Sequence, residues 1–225
     1  MRGARGFLAY SEFIDGAVRK WCMYIPPSWD EVAFLPTILY LHGRGESGDD
    51  GLRQLLIGLP SAILNRASEW PFLVICPQKA GSDEEWFDQR VWLSEILKRT
   101  EEAYPVDTSR RYITGLSQGG RGTFRLAGSL PWKFAAAAPV CGWVDPEEAV
   151  VSLRGVPTWA FHGLDDETIP PTGTTLAASA LRDAGENVEV TLLEGVGHNS
   201  WDFAYREAGL AAWLLKHRRS QVGSH

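Results

Sequence analysis

Residues 111–124 read RYITGLSQGGRGTF and set Ser117 between Gly115 and Gly119, after a strand-like run and before a helix-like one. A serine hydroxyl is a poor nucleophile at neutral pH until a neighbouring base takes its proton. The two glycines remove side chains that would collide where a strand doubles back into a helix, and they let Ser117 hold a strained backbone. Gly-Leu-Ser-Gln-Gly therefore fits the G-x-S-x-G turn that exposes a nucleophilic serine above a sheet. The helix that follows points free N–H groups at this spot. The first of them, on Gln118, stands where an oxyanion would form. The competing interpretation is a glycine-rich helix start with a capping serine; the strand–turn–helix context weighs against it.

A serine nucleophile needs a base, and the base needs an acid. Of five histidines, His217 and His225 fall in a terminal helix or tail, while His42 and His162 each close a strand-like run and precede a glycine. His198, in GVGHNSW, lies in a loop after the last strand-like run and follows both Ser117 and an acid-bearing strand end. It is the expected base. The acid should come from HGLDDETIP, which offers Asp165, Asp166 and Glu167. A solvated acidic turn is the alternative there. No EF-hand spacing is present, and no Cys–His spacing suits zinc. No metal or organic cofactor is therefore expected.

The elements that must position these residues alternate in type. Residues 18–26, 37–43, 72–77, 110–115, 135–142, 157–163 and 187–195 read as strands, most of them continuous apolar runs. Residues 51–67 read as helical in parts with Pro60 as a break; 91–104, 119–130, 172–185 and 203–218 read as helices. Apolar strands between amphipathic helices imply a mostly parallel sheet covered on both faces. Ligand chemistry then sits beyond the carboxyl ends of the strands. The segments found there are HGRGESG, PQKAGSDEEW, LSQGG, CGWVD, HGLDDETIP and GVGHNSW, so polar and small residues gather at one edge.

The chain has 225 residues, enough for one α/β domain over residues 1–225 with a full core. A net charge of −6 argues against a nucleic-acid partner; KHRRS at 216–220 reads as a solvated helix end. Cys22, Cys76 and Cys141 each sit in an apolar run and read as buried thiols, which points to a cytoplasmic setting. The amino-terminal apolar stretch is too short and interrupted for a signal-peptide core. No run reaches the roughly 18 apolar residues of a membrane helix, so no membrane partner is expected.

YLHGRGESG, RRYITGLSQGGRGT, HGLDDETIP and GVGHNSWDFAY occur in this order from Tyr40 to Tyr205. In these blocks the chain resembles serine hydrolases of the α/β-hydrolase fold. The resemblance is strongest to the small carboxylesterase/phospholipase group, which includes acyl-protein thioesterases, and to esterases and peptidases related to feruloyl esterases. It implies a Ser–acid–His order along the chain. It selects Asp166 as the acid, four residues after His162 in an H-G-x-x-D-x-x-I-P pattern, with Asp165 as the fallback; Glu167 replaces the proline common at that position. It assigns the second oxyanion donor to the backbone N–H of Arg44. Glycines 43 and 45 let that backbone approach closely, and the Arg44 side chain is expected to be solvated or paired with Asp49 or Asp50.

The resemblance further implies hydrolysis of a small-molecule carboxylic ester. The same three groups serve acyl-thioesterases and peptidases, and a catalytically dead binding protein on the scaffold is the reading from another class. Residues 143–156, between two strand-like runs, leave room only for a short helix at PEEAVVSL. An open site without a substantial lid is expected, suited to soluble, short-to-medium acyl or aromatic esters. Gly43, Trp143 and Trp86 are the expected substrate contacts, while Trp201 is expected to pack behind His198.

Overall fold

The computed structural model describes residues 3–30 and 33–219. Among these residues, eight strands form one sheet in the order β1-β2-β4-β3-β5-β6-β7-β8. They are β1 (Gly6–Ile14), β2 (Ala17–Ile25), β3 (Leu35–Leu41), β4 (Leu73–Gln78), β5 (Val106–Leu116), β6 (Ala136–Val140), β7 (Thr158–Gly163) and β8 (Val188–Leu193). From β4 across to β8 every pairing is parallel; only β1 with β2 and β2 with β4 are antiparallel. This is the expected mostly parallel sheet, with an antiparallel hairpin added at one edge.

Among the described residues, seven α-helices cover it: α1 (Gly58–Asn65), α2 (Arg90–Ala103), α3 (Gln118–Leu126), α4 (Pro146–Ser152), α5 (Thr172–Asp183), α6 (Trp201–Arg206) and α7 (Leu210–Lys216). Strand side chains alternate faces, and the core divides accordingly. Leu39 and Leu41 of β3 join Trp92, Leu93, Ile96 and Leu97 of α2, with Phe124 of α3 and Leu181 of α5. Ile38 and Tyr40 of the same strand join Leu59 and Ile63 of α1, Tyr205 of α6 and Leu214 of α7 on the other face. Each aliphatic side chain so buried contributes roughly 1.5–3 kcal/mol. A strand apolar on both faces is thus a consequence of helices on both faces.

Three local expectations are corrected. The amino-terminal stretch is a strand: β1 pairs with β2 through a turn at Asp15 and Gly16, whose φ angles of 51° and 75° suit a two-residue hairpin. Pro60 does not break a helix; it sits in the first turn of α1, where a missing N–H leaves no bond unmade. The terminal helix is two helices, because Gly209 at φ 73° reverses the chain between α6 and α7. Of the basic KHRRS segment, Lys216 ends α7, and Ser220, like His225, lies outside the described residues. Between β6 and β7 there is only α4, started by Pro146 and by Asp145, whose carboxylate accepts the Glu147 N–H at 2.9 Å.

Candidate active site

Six parallel strands, β3 to β8, end on the same side of the sheet, and each delivers a segment to one cleft. The loop after β5 is a single residue, Ser117, at φ 55° and ψ −118°. A non-glycine residue in this region carries a strain of order 1–3 kcal/mol. The surroundings hold it there. Ser117 N donates to Val140 O at 2.9 Å, and Ser117 O accepts from Arg121 N at 2.9 Å. A Cβ on Gly119 would collide with the Leu41 carbonyl, and one on Gly115 would stand 2.5 Å from the same oxygen. The glycines at 115 and 119 are therefore demanded by the close passage of β3.

The loop after β8 brings His198 to Ser117, Nε2 to Oγ at 3.0 Å. The loop after β7 brings Asp166 to the other ring nitrogen, Oδ2 to Nδ1 at 2.7 Å. Asp166 is buried, whereas Asp165 and Glu167 point to solvent, so the acidic turn splits into one inward and two outward carboxyls. Oδ1 of Asp166 accepts the N–H groups of Thr168 and Ile169, both at 2.9 Å. Burial works to raise the Asp166 carboxyl pKa, but the bonds from His198, Ile169 and Thr168 outweigh it and hold it below the ordinary value. The carboxylate is thus charged and oriented, and an imidazole so held is set to accept the Ser117 proton on Nε2.

Two residues not singled out from sequence complete the frame. His162, fully buried, directs Nε2 at Asp166 Oδ2 (3.2 Å) and Ile169 O (2.9 Å), with Nδ1 on Thr174 Oγ1 at 2.8 Å. Burial lowers its pKa against the pull of the Ile169 carbonyl and Asp166. His42 accepts the Lys79 N–H on Nε2 at 3.1 Å, so its proton is on Nδ1, which donates to Gly43 O at 2.5 Å. Burial first, then the Lys79 charge, push its pKa down to about 3, and the ring stays neutral. In a trans peptide the C=O and N–H point opposite ways. Holding the Gly43 carbonyl therefore aims the Arg44 N–H away from His42. Both histidines follow the same sequence signal, a His-Gly pair closing a buried strand.

Arg44 is the first residue of a 3₁₀ turn (Arg44–Glu46), and Gln118 the first residue of α3. N–H groups at such positions have no partner within their helix. Both residues line a cleft of ≈ 610 Å³ together with Gly43, Glu46, Ser117, Trp143, Ile169, His198 and Trp201. Trp201 meets the His198 ring edge-on, with centroids 5.5 Å apart. Two expectations change here. Trp86 is fully buried beneath the cleft and lines none of it: its Nε1 donates to His42 O at 2.9 Å and its ring packs against the His42 ring. The Arg44 side chain is largely exposed, in line with the solvated alternative, and its ion pair is with Asp83 at 2.5 Å in place of Asp49 or Asp50. Among the described residues no group of three His, Cys, Asp or Glu side chains is placed to hold a metal ion, and no helix is long and apolar enough to cross a membrane.

Known proteins share this architecture. A solved thermostable esterase superposes with a TM-score of 0.84 at 28% identity, over 95% of this chain and 63% of that one. A ferulic acid esterase structure gives 0.75 at 18% identity, over 92% and 98% of the two chains, a likeness of fold. In sequence, the chain is 30% identical over 102 residues to a bifunctional acetylxylan esterase/xylanase of Neocallimastix patriciarum, of which it spans only 15%. It is 26% identical over 215 residues to the probable carboxylesterase SOBER1-like of Arabidopsis thaliana, covering 83% of this chain and 80% of that protein. The phospholipase/carboxylesterase family model matches residues 60–208, more than half of the chain. The chain belongs to that phospholipase/carboxylesterase family and has the α/β-hydrolase fold.

Proposed function

We propose that this single domain hydrolyses soluble, short-to-medium acyl or aromatic carboxylic esters through an acyl-enzyme on Ser117. The observation that carries the reading is the hydrogen-bonded line from Ser117 Oγ to His198 (3.0 Å) to Asp166 (2.7 Å). Ser117 Oγ attacks the ester carbonyl carbon while its proton moves to His198 Nε2. The oxygen that becomes negative is received by the Arg44 and Gln118 N–H groups, each such donor lowering the barrier by about 3 kcal/mol. Asp166 keeps the imidazole in the tautomer with Nδ1–H and stabilises the imidazolium. The imidazolium then protonates the departing alcohol as the C–O bond breaks. Water, deprotonated by His198, attacks the acyl group, and the carboxylic acid leaves with Ser117 restored. Trp143 and Gly43 contact substrate in this scheme.

Ser117→Ala should abolish hydrolysis of p-nitrophenyl esters while the circular dichroism spectrum and melting temperature stay those of a folded chain. Full turnover in a pure variant would sink the assignment. Matched oxyester, thioester and peptide substrates separate the ester reading from a thioesterase or peptidase using the same three groups.

A further inference from the structure

The cleft beside Ser117 is lined by three carboxylates, Glu46, Asp83 and Glu85. Two of them are matched by a cation: Asp83 pairs with Arg44 at 2.5 Å and Glu85 with Arg121 at 2.9 Å. Among the described residues, no ion pair reaches Glu46. Its Oε2 instead accepts the Gly43 N–H at 3.0 Å. Burial raises the Glu46 carboxyl pKa above its ordinary value, while the Gly43 N–H and the more distant Lys79 ammonium favour the charged form; Lys79 Nζ itself is directed at Ser47 Oγ and Gly81 O, both at 2.7 Å. The bond to Gly43 makes Glu46 a fixed charge, not a mobile surface one. It also sets that charge close to the chemistry. The point where a Gly43 Cβ would stand is 3.1 Å from Glu46 Oε2 and 3.5 Å from Ser117 Cβ, so both side chains flank the same face of one glycine.

A fixed negative charge there acts on any charged group that a substrate brings to the reacting carbonyl. Two like charges roughly 7 Å apart in a half-screened cleft repel strongly enough to change relative rates about tenfold. We infer that Glu46 is a specificity-determining residue: it turns away esters that carry a carboxylate near the scissile bond and admits neutral and cationic ones. The inference rests on Ser117 being the nucleophile. It assigns Glu46 a second, separable role, since a glutamine at this position keeps an oxygen to accept the Gly43 N–H but loses the charge.

The test measures kcat/KM for the wild type and Glu46→Gln on two matched pairs, p-nitrophenyl butyrate with p-nitrophenyl hemisuccinate, and phenyl acetate with p-acetoxybenzoate. The wild type should favour the neutral member of each pair. Glu46→Gln should narrow the neutral-to-anionic ratio about tenfold in at least one pair; an unchanged ratio in both overturns the inference. The wild type gives an independent check that needs no variant to fold. Raising NaCl from about 20 mM to about 500 mM should narrow the ratio several-fold, because salt screens a charge in an open cleft, and a salt-independent ratio overturns the inference too. Ser117→Ala runs beside these assays. Turnover retained there sinks the nucleophile assignment, whereas a dead Ser117→Ala with an unmoved Glu46→Gln ratio sinks the charge filter alone.

Discussion

Asp166 accepts four bonds in a space where neither Asp165 nor Glu167 reaches, which makes it the side chain whose replacement isolates orientation from acidity. Asp166→Asn keeps one oxygen for the Thr168 and Ile169 N–H groups but can present an NH₂ to His198 Nδ1, stabilising the wrong tautomer. The expected result is a kcat loss of about 10³–10⁴-fold with KM changed little; a loss under tenfold would contradict the proposed role. Trp143 belongs to the same scale. It lines the cleft and carries the Arg121 guanidinium 5.3 Å above its ring. Trp143→Ala should change relative rates across acyl chain lengths more than it changes the melting temperature, and an unaltered acyl preference would refute the contact. The three side chains proposed to react could be picked out because the proposed chemistry leaves few alternatives: a serine in a glycine-flanked turn, and a histidine late enough to follow the acid. Trp86 could not be placed this way, since a tryptophan after a strand end has the same sequence appearance whether it lines a cleft or wedges beneath it. His42 and His162 gave a visible His-Gly signal, but their work is hydrogen bonding to backbone and to Asp166, which no spacing reports.

The elements matter through how closely β3, β5 and α3 pass one another. Gly119 opens the first turn of α3 against the Leu41 carbonyl, and Gly120 packs on Gly142, where an added Cβ would stand 2.6 Å from the Gly120 carbonyl carbon. Gly119→Ala forces backbone against backbone and should destabilise the fold by roughly 3 kcal/mol, lowering Tm by about 6–12 °C. An unchanged melting curve would mean that the turn relaxes freely. The strand ahead of Asp166 was readable as a buried apolar run, and the one ahead of His198 as an alternating strand, which fits the half-exposed β8. The edge strand β1 was not: its half-exposed FLAYSEFI lacks a continuous run, and the Asp15–Gly16 pair that marks the hairpin was the available signal. The Gly209 break was visible as a glycine but looked tolerable in a helix until its positive φ separated α6 from α7. The short α4 between β6 and β7 leaves the cleft without a substantial lid. Hydrolysis should therefore rise smoothly with ester concentration through the micellar threshold, and a sharp jump there would count against an open site.

For the molecule as a whole, the imidazoles of His42 and His162, which order the site, and of His217, packed on Trp213 at the end of α7, set its response to acid. His42 titrates at about 3, and His162 and His217 titrate below the ordinary value of 6.5, burial being the leading cause in each. A folded-state pKa below the unfolded one means that the unfolded chain takes up protons first as pH falls. Stability should hold steady above about pH 7 and decline below 6.5, by up to about 1.4 kcal/mol per pH unit for each group. The Asp166 carboxyl, held low, adds its own loss only below the ordinary 3.8. Urea unfolding between pH 7.5 and 5 measures this, and a flat free energy across that range would show that the rings protonate in place. The overall architecture was legible because strands apolar on both faces, alternating with amphipathic helices, have few other ways to bury themselves.

The central claim is that Ser117 is an activated nucleophile, and peptide mapping after treatment with a fluorophosphonate tests it most directly. The account predicts one adduct per chain, on the peptide containing residue 117, and none when His198 is replaced by alanine in a chain that still folds. An adduct on another residue, or no adduct in active protein, would contradict it.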